Sequence, residues 1–594
     1  MLHTTNDLFD LCFRWIRTER WLLGGLMIRL GLGMLGFVSA TSVCAVELIS
    51  INKDGNDSGN SISNWPTISA DSPFVAFLSF PKDLVSADTN GMHDVIVRKL
   101  QSGTNTLISI NKAGTGFGNL DSGFPVISAD GRFAAFQSYA SDLVDADKNG
   151  MGDVFMYDIQ SGTTTLISVN SEGTGSANSF SEYPAINADG RFVAFQSYAS
   201  DLTAKDTNKG VDVFVRDLQN RTTALVSVNK DGTDSGNNIS MHPVINAEGR
   251  FVAFPSSADN LVAADTNKTG DVFVRDLQSG ITNLISVNKD GTDSGNDISI
   301  EPVISANGRF VAFTSYADDL VTVDTNGVGD VFIRDLQNGA TTLVSIDKEG
   351  IDSGNGWSDH PVISADGRFV AFHSSANNLV ALDSNDMEDV FVRDLQSGIT
   401  ILISVNKDGT DSGNDTSSDP VISTDGRIVA FDSDANNLVA MDTNSINDMF
   451  VRDLQSGTTT LVRVNKEGTD SANNISIIPV ASANDRFIAF PSNANNLVDT
   501  DINSGMDLFE FEVFEAHQGC NCADPIAIKG TSSQDLIFGT EQADIICGLG
   551  GHDFIAGMGG DDCIDGGEGN DWIYGGFGND TIFGRTGKDI IYGQ

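Results

Sequence analysis

Between Leu48 and Phe514 the apolar residues come in short bursts. Phe251-Val252-Ala253-Phe254, Asp271-Val272-Phe273-Val274 and Leu284-Ile285-Ser286-Val287 are typical: β-branched or aromatic, and bounded by Gly, Asn and Asp. This is the pattern of strands rather than of amphipathic helices, and no longer segment keeps a helical spacing. The bursts recur every 59 residues without insertion or deletion, in eight units beginning at Leu48, Leu107, Leu166, Leu225, Leu284, Leu343, Leu402 and Leu461. A Pro recurs in register at 66, 125, 184, 243, 302, 361, 420 and 479. Asp130-Gly131 and its equivalents predict a hairpin turn between the first two strands of a unit, because this dipeptide tolerates positive φ. Apolar residues on both faces of the second strand suit a small sheet held between two neighbours. Four short strands per unit, eight times over, predict an all-β chain built as an eight-bladed β-propeller, with an open solenoid as the alternative. The first strand, Leu48–Asn52, is expected to complete the last blade, whose own fourth strand is missing, and so to close the ring and remove free edges.

From Gly530 the period changes to nine. Asp535, Asp544, Asp553, Asp562, Asp571, Asp580 and Asp589 are evenly spaced, each followed two positions on by Ile, from Ile537 to Ile591. Gly539, Gly548, Gly557, Gly566, Gly575, Gly584 and Gly593 complete the unit. The expectation is a short parallel β-roll at 530–594, joined by a linker at 515–529 to a propeller at 46–514.

Both repeats resemble known ones. Ser128-Ala129-Asp130-Gly131-Arg132 and Asp153-Val154-Phe155-Met156-Tyr157-Asp158-Ile159 resemble the TolB-like propeller repeat, a likeness that covers most of 48–514 and implies fold more than activity. The first unit departs from it at Asp71-Ser72-Pro73 and the last at Asn484-Asp485. The nine-residue unit resembles the RTX, or haemolysin-type, calcium-binding repeat G-G-x-G-x-D-x-U-x. That resemblance implies Ca²⁺ held by Asp544, Asp553, Asp562, Asp571, Asp580 and Asp589 together with the turns at Gly548, Gly551, Gly557, Gly560, Gly566, Gly569, Gly575 and Gly578. Gly530–Cys547 lacks the second and fourth glycines, which leaves Asp535 a poor ligand, and Arg585 and Lys588 weaken the last turn.

Charge then narrows the partners. With 81 acidic side chains against 35 Lys and Arg, the net charge is −46. Nucleic acid and anionic membrane surfaces both need clustered cations, so both are excluded. A 40% hydrophobic content with 35 Phe argues against disorder. Carboxylate also recurs inside the propeller units as D-x-N-x-x-x-D, from Asp88/Asn90/Asp94 to Asp501/Asn503/Asp507. Asp265, Asn267, Asp271, Asp324, Asn326 and Asp330 are the candidates carried forward. Alternating oxygen ligands suit Ca²⁺, but the bidentate Glu of common calcium loops is missing, and Asx-turns are the competing explanation.

Residues 1–45 resemble a secretory signal. Arg14, Arg17, Arg20 and Arg29 precede the apolar stretch Leu30–Val38, and Val43-Cys44-Ala45 ends in the small residue that signal peptidase requires. Initiation at Met27 would give a more compact signal, and an uncleaved membrane anchor is the competing reading; beyond this stretch no apolar run is long enough to span a bilayer. Export of the Sec type fits better than the type I route, which reads a signal beyond the last repeat. The chain is expected outside the cell or on its surface, or in a periplasm. Four cysteines remain after cleavage, Cys520, Cys522, Cys547 and Cys563; disulfides are favoured over zinc, with three pairings open.

No catalytic motif emerges: there is no G-x-S-x-G and no H-E-x-x-H, and His93, His242, His360, His373, His517 and His552 suggest no constellation. Eight near-identical units read as a symmetric surface without a unique active site. The leading expectation is a calcium-bound extracellular binding, structural or adhesive module, with a polysaccharide or a surface protein as partner. The alternative is a hydrolase or lyase acting on extracellular polysaccharide at the propeller axis, where converging His, Arg and acidic side chains would favour the enzyme.

Overall fold

The computed structural model of the chain describes residues 46–594 apart from 71–73, 81–82, 86–90, 467–468, 477–478, 484–485, 502, 504, 514–519, 521, 523–526, 532, 541, 561, 568, 577, 579–580, 585–589 and 593–594. The expected leader at 1–45, Asp88, Asn90, His517, Asp580 and Asp589 lie outside the described residues.

Residues 46–512 form eight four-stranded antiparallel sheets, the blades of a β-propeller. Blade 3 is representative, with strands Ser181–Ile186, Phe192–Ser197, Asp212–Asp217 and Thr222–Leu225 in spatial order. Its hairpin turns at Gly190, with φ 71°. That turn must be glycine for a second reason. A Cβ there would run into the ring of Phe133 in blade 2, and the same nesting places Phe74 against Gly131.

The core lies between blades. Ala194, Val213, Val215 and Val226 of blade 3 pack with Val252, Phe254, Ala258, Leu261 and Phe273 of blade 4. Within blades, Phe pairs such as Phe195 and Phe214 stack at 5.9 Å. Each fully buried Phe contributes on the order of 2–3 kcal/mol from area alone. The Arg of the D-G-R turn clamps the far end of the next strand: Arg250 reaches both oxygens of Asp276, at 3.1 and 2.7 Å, while lying over the Phe251 ring.

The ring closes with the chain's own beginning. Val46–Leu48 pairs antiparallel with Asp507–Glu512, completing blade 8. The closing strand is shorter and earlier than the expected Leu48–Asn52, and every fourth strand is displaced likewise: Ile281–Leu284 is a strand, whereas Ile285–Val287 is not. The reason is Ser286. Its hydroxyl donates to Asp271 and accepts from the Val272 amide, which pulls the backbone off the ladder just after Leu284.

Residues 528–592 form a parallel β-roll. Strands alternate between two four-stranded sheets, so residues 18 apart pair across successive coils, as Ile546 does with Ile564 and Ile555 with Ile573. Ile537, Ile546, Ile555, Ile564 and Ile573 form the thin core. Among the described residues no helix is long and apolar enough to cross a membrane.

Candidate functional site

Three groups of polar side chains stand out: the roll turns, the propeller loops and the propeller axis.

In the roll, carboxylate and carbonyl oxygens converge on glycine. A Cβ added at Gly566 would lie 2.9 Å from both Asp571 Oδ2 and Gly584 O; at Gly548 it would lie 2.8 Å from Asp553 Oδ2 and nearer still to Gly566 O. Gly551, Gly560, Gly569 and Gly578 turn at φ 118°, 110°, 132° and 138°, where a side chain would strain the backbone. Asp553 Oδ1 accepts the Asp535 amide at 2.7 Å, and its buried Oδ2 has no hydrogen-bond partner. Burial pushes its carboxyl up. The donor set is all oxygen, with an orphaned carboxylate atom in a cradle only glycine leaves open. These residues fit a hard cation of the calcium type. Asp544, Asp562 and Asp571 repeat the position, and Asp562 and Asp571 likewise accept amides from the preceding coil, Asp544 N at 2.9 Å and Asp553 N at 2.8 Å.

Two disulfides tie the linker to this roll: Cys520 to Cys563 and Cys522 to Cys547. Sequence left three pairings open; the structure selects this one. The two roll cysteines lie on adjacent strands, opposite Ile545 and Asp565.

The propeller loops bury their carboxylates. Asn267 accepts the Thr269 amide at 2.8 Å and donates to Gly295 O at 2.6 Å, an Asx-turn pinned to the neighbouring loop. Asn326 does the same and also donates to Asp330 at 2.7 Å. Asp271 is fully buried and Asp265 nearly so, and the Oδ2 atom of each has no hydrogen-bond partner. Burial pushes the carboxyls up to about 6 for Asp265, about 7 for Asp271 and about 8 for Asp330, against the opposing serine hydrogen bonds. Blade 7 departs from this pattern. Where other blades have a serine, Arg463 is wholly buried with Nη1 3.0 Å from Asp448 Oδ1. Burial pushes this guanidinium down to about 10, while Asp448, Asp432 and Asp442 hold it charged. A tethered cation thus occupies one of the carboxylate pockets.

The axis carries the asymmetry that the sequence reading did not find. First strands of successive blades touch one another, and that of blade 1 meets that of blade 8, so they line the centre. Each full-length first strand bulges just before its proline; in blade 3 the register slips between Glu182 and Ala185. The residue at the bulge has positive φ in blades 1 to 7, between 45° and 54°: Trp65, Phe124, Tyr183, His242, Glu301, His360 and Asp419. A non-glycine residue before proline is disfavoured in this conformation, and such strain, repeated blade by blade, marks a surface built to aim side chains. The ring is divided by chemistry. Trp65, Phe124, Tyr183 and His242 form a chain of ring contacts at 5.4, 5.1 and 4.8 Å. The next three are Glu301, His360 and Asp419, which line an axial cavity of about 320 Å³ with Pro302, Pro361 and Pro420.

Behind His360 sits His373, from the second strand of blade 6 and 5% exposed. His360 Nδ1 lies 3.2 Å from Asp359 Oδ1, and His373 Nε2 faces that same oxygen. His373 Nδ1 lies 3.1 Å from Glu388 Oε1, and His360 Nε2 lies 3.8 Å from Glu301 Oε1. Hydrogen bonding to Asp359 raises His360 to about 9. Burial alone would raise Asp359, but the two imidazoles outweigh it and hold its carboxyl at about 2.

Residues 529–564, 538–573 and 565–594 match the family model of the RTX calcium-binding nonapeptide repeat. The roll is built of RTX repeats. The propeller, eight-bladed, has TolB-like structural neighbours. TolB from Acinetobacter baumannii is 13% identical with a TM-score of 0.28, over 62% of this chain and 75% of that one. An oligogalacturonate lyase from Vibrio parahaemolyticus is 12% identical with a TM-score of 0.38, over 77% and 99%. A prolyl endopeptidase is 10% identical with a TM-score of 0.41; the match covers 83% of this chain and 58% of the peptidase. No curated protein matches the chain. RTX repeats and disulfides together fit an extracellular protein.

Proposed function

We propose that this chain is secreted after cleavage at Ala45 and acts as a calcium-bound extracellular binding or structural module: a rigid propeller at 46–514, a linker at 515–529 and a calcium-ordered RTX roll at 530–594. The observation that carries the reading is Asp553, whose buried, partnerless Oδ2 faces glycine carbonyls in a pocket repeated along the roll. Asp544, Asp553, Asp562 and Asp571 would hold the ions, with Asp580 and Asp589 continuing the series. The ion supplies positive charge that lets successive carboxylates sit one coil apart. The propeller loops enter the same proposal, because Arg463 shows a fixed cation balancing a loop carboxylate in blade 7. Asp265 with Asp271, and Asp324 with Asp330, would take a calcium ion there instead.

The test is a calcium titration of the purified mature chain followed by calorimetry and circular dichroism. Several ions per chain, with new β signal from the roll, are expected; a chain that binds none refutes the proposal. N-terminal sequencing of exported protein should begin at Val46.

The divided axial ring favours a second reading, a polysaccharide-degrading enzyme at the axis. It predicts release of reducing or unsaturated ends from an acidic polysaccharide, abolished by His360→Ala.

A further inference from the structure

The His and acidic side chains at the axis do more than decorate one arc of the ring. Among the described residues, Asp359, His360 and His373 are the single group of three or more His, Cys, Asp or Glu side chains whose ligand atoms all approach one another, within 4.8 Å. They arise from two strands of one blade, paired so that Asp359 lies directly opposite His373. His373 is more than nine-tenths buried, and its Nε2 turns to Asp359 Oδ1, the same oxygen that faces His360 Nδ1. Once a metal displaces the protons shared between them, the two imidazole nitrogens and the carboxylate oxygen offer their lone pairs to one electrophile.

The opposite faces of the two imidazoles make the case specific. Metal-bound histidines present one nitrogen to the ion and the other N–H to a carboxylate, which fixes the tautomer. His373 has Glu388 at its Nδ1 and His360 has Glu301 at its Nε2, at 3.1 and 3.8 Å. Glu388 and Glu301 come from different blades, and neither belongs to the repeat: the place of Glu388 is held by glycine in blades 2, 4 and 5, and the place of Glu301 by an aromatic in blades 1 to 3.

We propose that Asp359, His360 and His373 form a three-ligand site for a divalent transition metal, zinc being the ion such a donor set favours, with Glu388 orienting His373 from behind and Glu301 adding negative charge beside His360. Two nitrogens and one carboxylate oxygen suit zinc and its neighbours and not calcium, so the site is chemically separate from the roll. Three protein ligands leave a coordination position for water or a ligand donor, and His360 places it at the axial cavity.

A purely architectural role for His373 is also written in the fold. In that role its Nδ1 accepts the Asp419 amide at 3.3 Å in place of donating to Glu388, as in blade 3 the equivalent Gln196 accepts the His242 amide at 2.8 Å. This supplies the control. His373→Gln restores the residue of blades 2 and 3, preserves the amide contact and removes the ligand. The experiment uses the full mature chain, untagged and saturated with calcium, titrated with Zn²⁺ by calorimetry and with Co²⁺ by visible absorption. One equivalent of each is expected, with cobalt d–d bands, and the site should vanish in His373→Gln and in the exposed His360→Gln. Glu388→Gln should weaken zinc about 10- to 100-fold while leaving one site. His242→Gln, at the same ring position in blade 4, should bind like the parent. Absence of stoichiometric binding by the parent overturns the proposal. So does unchanged binding by His373→Gln and His360→Gln.

Discussion

The propeller and the roll solve one problem in opposite ways. Both are acidic repeats, and both bury aspartates: Asp271 and Asp330 among those of the propeller, Asp553, Asp562 and Asp571 in the roll. The propeller supplies its buried Asp residues with side-chain donors: Ser286 for one oxygen of Asp271, and Asn326 and Ser345 for the two oxygens of Asp330. Its core is thick, with Phe254 and Phe273 stacked in a blade packed on both faces. The roll has one column of isoleucine between two narrow sheets and leaves Asp553 half satisfied. A thick ring meets much of its buried carboxylate with its own donors; a thin roll whose carboxylates stack one coil apart depends more on imported charge. On the proposed reading the same residue type leans mainly on serine and asparagine in one region and mainly on an ion in the other.

Calcium removal should separate the two regions most sharply. In excess chelator, amides of 536–592 should lose hydrogen-exchange protection by orders of magnitude while blade strands such as Phe192–Ser197 stay protected. Simultaneous loss in both would show that the propeller shares the roll's dependence.

Next comes core truncation. Phe254→Ala should cost about 3–5 kcal/mol with or without calcium, whereas Ile555→Ala should cost about 2–5 kcal/mol only when calcium is bound. Chemical denaturation in both buffers reads the difference, and a calcium-dependent Phe254→Ala would break the contrast.

Third, reducing the roll's staples should be milder. Replacing Cys522 and Cys547 by Ser opens a 25-residue span and should cost the roll about 3 kcal/mol. The melting point of the roll transition reports it, and the propeller transition should not move.

The smallest effect is that of pH on the calcium-free propeller. Buried loop Asp residues are raised from the usual carboxylate range to about 7, so the folded state binds more protons than the unfolded state between these limits. Stability from these groups is present at low pH and is lost as pH rises through about 7. Salt-bridged carboxylates such as Asp453, held at about 2 by Arg427 against the effect of burial, oppose this and fail as pH falls toward 2. The melting temperature should therefore be highest near pH 4–6 and lower at pH 8, with calcium restoring part of the loss. A propeller that grows more stable between pH 6 and 8 without calcium would contradict the buried-acid picture.

The sequence made the architecture legible because its two periods, 59 and nine, leave few other ways to bury Phe and Ile. Strand ends were less visible: Ile285-Ser286-Val287 has strand composition, and only the Ser286–Asp271 bond removes it from the ladder. Disulfide pairing needed the coil geometry that brings Cys547 and Cys563 onto adjacent strands. The axial group was hidden differently. Reading down the column before each proline gives Trp65, Phe124, Tyr183, His242, Glu301, His360 and Asp419, a variable position beside an otherwise fixed motif. Set among eight near-identical units, that column left the surface reading as symmetric. Once the bulge turns that column inward, it becomes a graded ring, and His373, 13 residues from His360 in sequence, is its immediate neighbour.

The seam in blade 8 has a consequence for how the molecule is made. Ser50 hydrogen-bonds Asp507 across 457 residues of chain, so blade 8 cannot be completed until its third strand has been made. Bringing such distant ends together costs about 5 kcal/mol of loop entropy. Blade 8 also sets Glu47 opposite Glu510, whose carboxyl burial pushes to about 8. Circular permutation that moves the break to the surface turn between blades 4 and 5, joining Glu512 to Val46 by a short linker, would make every blade local in sequence. Such a permutant should assemble faster than the natural order, with the same ring at the end.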